Sequence, residues 1–566
     1  VFDPDLGINT KEAEMIVNQR LEKADEDDNE VEKEIQEEED EYDGSILLNI
    51  IEEEEDNDGN SNEQTQGNTT IFQAACQIAN TIMGAGILGI PVFYKSYGIL
   101  VGTVLMFILA WVSIYSIYCL LYSHKVTKKS GYSIYSKICY GNTGSLFVKI
   151  AIIANNFGLT CAYLRIFGDV VSGLVNTFVS EDNFFTNNWH NFIYILVIAV
   201  ISLMFIFKEE IDSLKHASVI SISAIGILFT CIIILYGYKR GEGLTYDFES
   251  KMLYPHGEFY KMLSTVPTVI LAFSFQFNMF PIYYSMKEPS PKNFLKAIYM
   301  AIGFCCFVYL ILGVMAYLTY GDNMEGGSIL DSLLDDMKAN KDEDKVILIL
   351  LLIIAISFLV IATMSIPLTF IGMKKNLLNS VIFCKKKFFK NKAREELIKD
   401  SHMYDEILGD QGVQALHYHH HQPPHTVNHP KSEKHGGRKE SEMSVKSYRS
   451  GRSSKKYSMK SKKTITEAMQ SKYMTKTEKN MIIITIYVLC VALTILISML
   501  STIFNIVGAT AANSISFIFP NLFVIKLSEM LNIKSKSLIV PCILFILGFI
   551  LMFICIAGEV INIIKD

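Results

Sequence analysis

The sequence predicts an all-α polytopic membrane protein with 11 transmembrane helices, the first ten forming two five-helix repeats of inverted topology. Three observations carry this. Half of the 566 residues are hydrophobic, and mean hydropathy is +0.28. Eleven apolar runs approach the roughly 20 residues that a helix needs to cross the hydrocarbon core, where backbone groups find no water to bond. The first and sixth of these runs are broken by Gly, Pro and polar residues at equivalent places, as in transporters that bind solute between two discontinuous helices.

Residues 1–69 hold 25 Asp/Glu against 4 Lys/Arg, a net 4 − 25 = −21, and are expected to form an acidic, disordered cytosolic tail. LEKADEDDNEVEKEIQEEEDEY has Glu–Lys spacing suited to a transient helix. A Val at position 1 predicts a longer native N-terminus. The run Glu52 to Asp56 has the wrong charge for a signal peptide, so the first apolar run is expected to be retained.

The apolar runs fall near 70–94, 99–123, 147–178, 190–206, 213–238, 262–285, 294–320, 345–372, 480–503, 505–527 and 538–563, the fourth being the shortest. Residues 70–372 thus carry helices 1–8 and 480–566 carry helices 9–11. The basic cluster Lys374, Lys375, Lys385, Lys386 and Lys387 directly after the eighth run sets a cytosolic N-terminus and an outer or lumenal C-terminus. Between the two sets, 373–479 is expected to be a basic, His-rich, disordered cytosolic loop that suits anionic lipid. Eight of the 12 His lie between His402 and His435. Closely spaced imidazoles can bind zinc or copper, but no Cys or fixed turn accompanies them, so no metal site is predicted. The 11 Cys fall in spans or on the cytosolic side, which implies no disulfide framework.

The first run reads NTIMGAGILGIP, Asn80 to Pro91, with three glycines and a proline within eight residues. The sixth reads LAFSFQFNMFP, Leu271 to Pro281. Neither holds a continuous helix comfortably. Small residues also permit close helix packing, and that reading stays open. Gly84, Gly86 and Gly89 match a dinucleotide fingerprint, but no strand or βαβ unit surrounds them. In the third run Arg165 and Asp169 are four apart and are expected to pair along one face. Lys95 is expected to reach outer headgroups and Glu559 to be interfacial. No H-E-x-x-H, no G-x-S-x-G and no central carboxylate pair is present, so no enzyme is predicted.

NTIMGAGILGIP, ANNFGLTCAYL, LAFSFQFNMFPIYYSMK, ATMSIPLTF and VGATAANSISFIFPNLF, in this order between Thr70 and Ile563, resemble the amino acid/auxin permease family, in particular its neutral amino-acid branch. The low-complexity insert and the richness in Ile, Asn, Lys and Tyr resemble malaria-parasite proteins. The family resemblance implies a LeuT-like fold, 5+5 inverted repeats plus one helix, and alternating-access transport of small neutral or aromatic amino acids. It implies substrate contacts from Thr81, Met83, Gly84, Ala85, Gly86, Asn156, Phe273, Ser274 and Phe275. It places cation ligands at Asn80, Thr363 and Ser365, where hydroxyls bonding their own helix are the alternative. It implies no cofactor and coupling to H+ or Na+. Amino acid and bilayer are the expected partners, with no nucleic acid and a monomeric chain, in an acidic vacuolar or lysosome-like membrane or the plasma membrane. A sensor signalling through the acidic tail is the second functional reading.

Overall fold

The computed structural model describes residues 15–21, 69–179, 191–207, 211–245, 250–255, 258–321, 324, 328–411, 474–497, 499–533 and 538–565. Backbone contacts divide the chain into a helical body, Val1–Ser380 with Ile482–Asp566, and a second unit, Val381–Met481. The described residues are almost wholly helical, with one isolated parallel bridge, Thr69 to Met286.

The first run is split. Helix α1 (Ile71–Ile82) starts at a capping box in which the Thr70 hydroxyl takes the Gln73 N–H and the Gln73 side chain takes the Thr70 N–H. A single 3-10 turn (Ala85–Leu88) follows, then α2 (Ile90–Tyr97) with Pro91 in its first turn, where a missing N–H costs nothing. The two halves are bent by 60°. Then come α3 (Ile99–Thr127), α4 (Tyr132–Phe178, interrupted at Gly141 with φ 67°), α5 (Asn191–Phe207) and α6 (Ile211–Gly241). The sixth run is again two pieces, α7 (Phe259–Ala272) and α8 (Met279–Ser285), joined through a short 3-10 turn at Gln276–Asn278. Helix α9 (Pro291–Tyr320) is capped by Ser290, and α10 (Ile329–Ala339) is a short helix ahead of α11 (Lys345–Gln411). The chain closes with α12 (Lys476–Leu496), α13 (Leu500–Val507), two π-helical stretches (Gly508–Ala512 and Ser514–Ile518), α14 (Phe519–Met530) and α15 (Ile539–Lys565).

Each of the eleven apolar runs thus contains helix. Among the described residues, nine helices are long and apolar enough to cross a membrane, and a tenth is obtained by counting the bent α1–α2 pair as one span. The fourth run yields a 17-residue helix, short of that test. Val104, Phe107, Ile108 and Trp111 on α3 and Ile543, Ile546, Ile550 and Phe553 on α15 are exposed at helical spacing. Such continuous apolar stripes suit hydrocarbon and would aggregate in water. The bundle interior carries small and aromatic side chains, among them Phe93, Tyr94, Phe273, Phe275 and Tyr309.

Several local expectations are revised. Helix α11 runs on to Gln411 instead of ending at 372, because Lys, Arg, Glu and Leu are good helix formers even where the chain turns basic. Within the acidic tail, residues 15–21 are helical, with Val17 buried and Leu21 packed on the body's core. Lys95 donates to the Met324 carbonyl at 2.7 Å instead of reaching headgroups. Glu559 is not interfacial: it is buried among helices and accepts a hydrogen bond from Asn505. The expectations for 1–14, 22–68 and 412–473, the His-rich tract after residue 411 included, lie outside the described residues. In the second unit, Lys385 pairs with Glu478 at 3.1 Å, and Glu478 caps the Thr475 N–H ahead of α12.

Candidate functional site

The two broken runs meet in the middle of the body. A Cβ added to Gly86 would lie 2.6 Å from Ala272 Cβ, at the last residue of α7, so only glycine lets the backbones come this close. A Cβ on Gly84 would strike the Tyr163 hydroxyl from α4. Pro267 and Gly508 make a second close approach, between α7 and the first π stretch. The far ends of the breaks are also tied. Thr69 N–H donates to Ser285 O at 3.0 Å and Lys287 N–H to Thr69 O at 2.9 Å, joining the start of α1 to the end of α8.

A helix break leaves amides and carbonyls without partners in the helix. Neighbouring side chains take several of them. Tyr309 Oη, on α9, donates to Ile82 O at 2.9 Å and lies 3.5 Å from Ala272 O, so one phenol serves the ends of both half-helices. Its ring meets the Phe273 ring edge-on, 5.5 Å between centroids. Ser113 Oγ donates to Phe273 O at 2.9 Å and accepts from Gln276 Nε2 at 2.9 Å. Gln276 Oε1 accepts in turn from Ser516 Oγ at 3.0 Å, in the second π stretch. Three helices therefore hold the sixth run open. In the first run, the turn bonds are Ile87 N to Gly84 O at 3.5 Å and Gly89 N to Gly86 O at 3.2 Å, long by helical standards.

The residues expected at a substrate site sort into two groups. Met83, Gly84, Gly86, Phe273, Ser274 and Phe275 converge on the junction, with Ala85 opening the 3-10 turn and Thr81 one turn before it. Thr81 Oγ1 bonds Gln77 O of its own helix. Ser274 Oγ is buried and has no hydrogen-bond partner among the described residues, and neither has Ser116 Oγ, one turn from Ser113. Buried orphan hydroxyls are costly, about 1–3 kcal/mol each, and mark where a ligand or water group belongs.

Asn156 is different. Its amide donates to Ile152 O at 2.9 Å on its own helix, and its Oδ1 lies against Gly372 of α11, two turns along α4 from Tyr163. Its neighbour Asn155 is fully buried with both amide atoms unpartnered among the described residues. Among the proposed cation ligands, Asn80 is half-buried, Thr363 Oγ1 donates to Leu359 O at 2.7 Å, and Ser365 O accepts from Thr369. Thr363 therefore takes the bonding pattern of a hydroxyl serving its own helix.

Tyr309 and Ser113 went unnoticed in the sequence, since each lies in an ordinary apolar run; Gln276 and Ser516 lie in stretches the sequence singles out, but only tertiary placement gives any of the four its partner. The π stretches had a signal: Gly508-Ala-Thr-Ala-Ala-Asn513 is small and polar inside an apolar run. Such bulges recur at functional sites. Neither break carries charge: 79–91 and 269–281 contain no Asp, Glu, Lys, Arg or His. The junction thus offers backbone dipoles, hydroxyls, an amide and aromatic faces.

Arg165 Nε bonds Asp169 Oδ2 at 2.9 Å, as their spacing predicts. Beside them, Asp331 on α10 is pushed up to about 7, first by burial and then by the Asp169 charge.

The family model described as transmembrane amino acid transporter protein matches residues 67–562. Amino acid transporter AVT6C of Arabidopsis thaliana is 25% identical over 300 residues, 49% of this chain and 67% of that protein. AVT6A of the same plant is 28% identical over 283 residues, 48% of this chain and 58% of the relative. Vacuolar amino acid transporter 7 of Saccharomyces cerevisiae is 27% identical over 271 residues, 47% and 53% of the two chains. The matched segments thus span between about half and two thirds of these relatives. Among solved structures, a manganese transporter of Eremococcus coleocola aligns over 89% of this chain and 90% of its own at a TM-score of 0.46 and 10% identity.

Proposed function

The chain belongs to the transmembrane amino acid transporter family, and from that premise we propose that it moves small neutral or aromatic amino acids across a membrane by alternating access. The observation that carries this reading is the uncharged junction of two broken helices, with the orphan hydroxyl of Ser274 in it. A substrate carboxylate suits the amides freed at Gly84 to Gly86, and a substrate ammonium suits carbonyls freed at the ends of α1 and α7. Tyr163, Phe273 and Phe275 supply apolar and aromatic walls for the side chain.

In this reading the body has 11 spans, the short α5 included. Runs one to five and six to ten form inverted repeats of a LeuT-like arrangement, and α15 lies outside them. Equivalent breaks in runs one and six support the repeat. Transport is secondary active and coupled to H+ or Na+. Asn80, Thr363 and Ser365 remain the sodium ligands to test. The N-terminus is cytosolic, by the basic cluster after Gly372, and the name of the yeast relative supports a vacuolar membrane.

The test is uptake by purified protein in liposomes under imposed H+ or Na+ gradients, with a panel of labelled amino acids. Saturable uptake of at least one neutral or aromatic amino acid, several-fold above empty vesicles, is expected. Uptake confined to cationic or anionic amino acids, or none under any gradient, contradicts the reading.

A further inference from the structure

One buried carboxylate lies apart from the substrate junction but is connected to it. Glu559, six residues before the end of α15, is 2% exposed. Its Oε2 accepts from Asn505 Nδ2 of α13 at 2.8 Å. Asn505 Oδ1 accepts from Thr268 Oγ1 of α7 at 2.8 Å. The Thr268 methyl occupies the space that a Cβ on Gly89 would need, against the residue that opens α2. A chain of two hydrogen bonds therefore runs from a carboxylate on the last helix to the contact between the outer halves of both broken runs.

An ionisable group at such a position is expensive to keep unless it works, and a carboxylate in a bundle interior is a natural proton acceptor. The surroundings contain the groups that set its charge. On α15 these are Cys555 and Lys565, the latter 4.2 Å above the ring of Tyr260. Helix α7 carries Tyr260 and Lys261, and α2 carries Tyr94, Tyr97, whose hydroxyl donates to Met262 O at 3.0 Å, and Lys95, which donates to Met324 O. Helix α13 and both π stretches bring no titratable group. Helix α14 brings Lys526 and Glu529, which pair with each other at 3.0 Å.

We propose that Glu559 is the proton-binding site of the transporter, and that Asn505 and Thr268 carry its charge state to the junction of the broken helices. In the structure the Asn505 amide donates to Glu559 and its carbonyl accepts from Thr268, an arrangement that suits the carboxylate. One proton taken from the outer or lumenal side leaves Glu559 neutral, with an O–H to donate. Asn505 then turns its amide over, accepting from Glu559 through Oδ1 and donating to Thr268 Oγ1 through Nδ2. The Thr268 hydroxyl is released from Asn505 and bonds a carbonyl of its own helix. No atom other than that proton is gained. The α2–α7 contact at Gly89 thus has two settings, one for each charge state, and a ligand can bias only an element with two settings. This inference rests on the transport reading and selects H+ as its coupling ion; Asn505 and Thr268 are positioning residues in it.

Two measurements on the full chain test it. In detergent, pH-dependent infrared difference spectra of the wild type should contain a buried carboxyl band that Glu559→Gln lacks. Glu559→Asp should restore a shifted band. In liposomes, amino-acid accumulation driven by an imposed pH gradient should fall at least about tenfold in Glu559→Gln, while exchange of labelled for unlabelled amino acid, which needs no net proton, falls much less. Asn505→Ala should shift the pH at which accumulation is half-maximal. An unchanged infrared band in Glu559→Gln, or intact pH-driven accumulation, overturns the proposal and leaves the transport reading standing. A band that disappears in a protein that moves no amino acid leaves the proton site standing and removes the transport reading.

Discussion

Tyr309 shows how a single side chain can make a broken helix affordable. Its hydroxyl answers Ile82 O directly and reaches Ala272 O, and both carbonyls lie where water is scarce. Tyr309→Phe leaves the ring against Phe273 in place and removes only that donor. The cost should be about 1–3 kcal/mol, the penalty of leaving a buried carbonyl unanswered. Thermal unfolding in detergent should shift down by a few degrees, and uptake should drop several-fold without a change of substrate preference. A variant as stable and active as wild type would mean that water serves these carbonyls. At this scale the sequence was partly legible. Gly84, Gly86 and Gly89, followed by Pro91, pointed to a break because together they weaken a continuous helix. The phenol that stabilises the break sits 20 or more residues away in every direction along the chain, and nothing local marks it. Lys95 and Glu559 were misjudged for a related reason. Position near a helix end suggested headgroups, but the loop at Met324 folds over one and Asn505 faces the other.

At the scale of elements, α10 is a short helix held at both ends. Its second half is anchored by Asp336, which takes Lys239 Nζ on both oxygens at 2.7 Å, Tyr320 Oη at 2.9 Å and Asn340 Nδ2 at 2.9 Å. Its first turn holds Asp331 near Asp169, and Leu334 fills the space beside Gly173 of α4. The Asp331 carboxyl stands at about 7, above the ordinary 3.8, through burial first and the Asp169 charge second. A carboxyl raised on docking favours the docked state while protonated. That preference is full below the ordinary value and is lost as pH rises through the range up to about 7. Amide exchange of 329–339, corrected for its intrinsic pH dependence, should therefore speed up as pH is raised from about 4 to about 7, by at most about tenfold per pH unit. Asp331→Asn should flatten that profile. A profile equally steep in the variant would remove Asp331 as its cause. Helix boundaries in the spans were legible from apolar length, within a few residues for most runs. The extension of α11 and the π stretches were not, since both depend on local preferences that a hydropathy window averages away.

For the molecule as a whole, hydropathy carried the reading of an all-helical polytopic membrane protein, and the match of the transmembrane amino acid transporter family model from 67 to 562 agrees with it. What the sequence left open was which residues of each run face the junction. Asn156 and Asn155 illustrate this: adjacent on one helix, one bonds its own backbone and the other is a buried amide without a partner among the described residues. The proposal that a neutral amino acid sits where the two breaks meet turns on Ser274, whose buried hydroxyl has no bonding partner among the described residues. Its most direct test is thiol labelling of Ser274→Cys in liposomes, read by mass spectrometry at residue 274 so that the native cysteines do not interfere. Labelling should slow several-fold when a transported neutral amino acid saturates the protein, and should be indifferent to amino acids that are not transported. Labelling that is equally fast with and without a transported substrate would contradict the account.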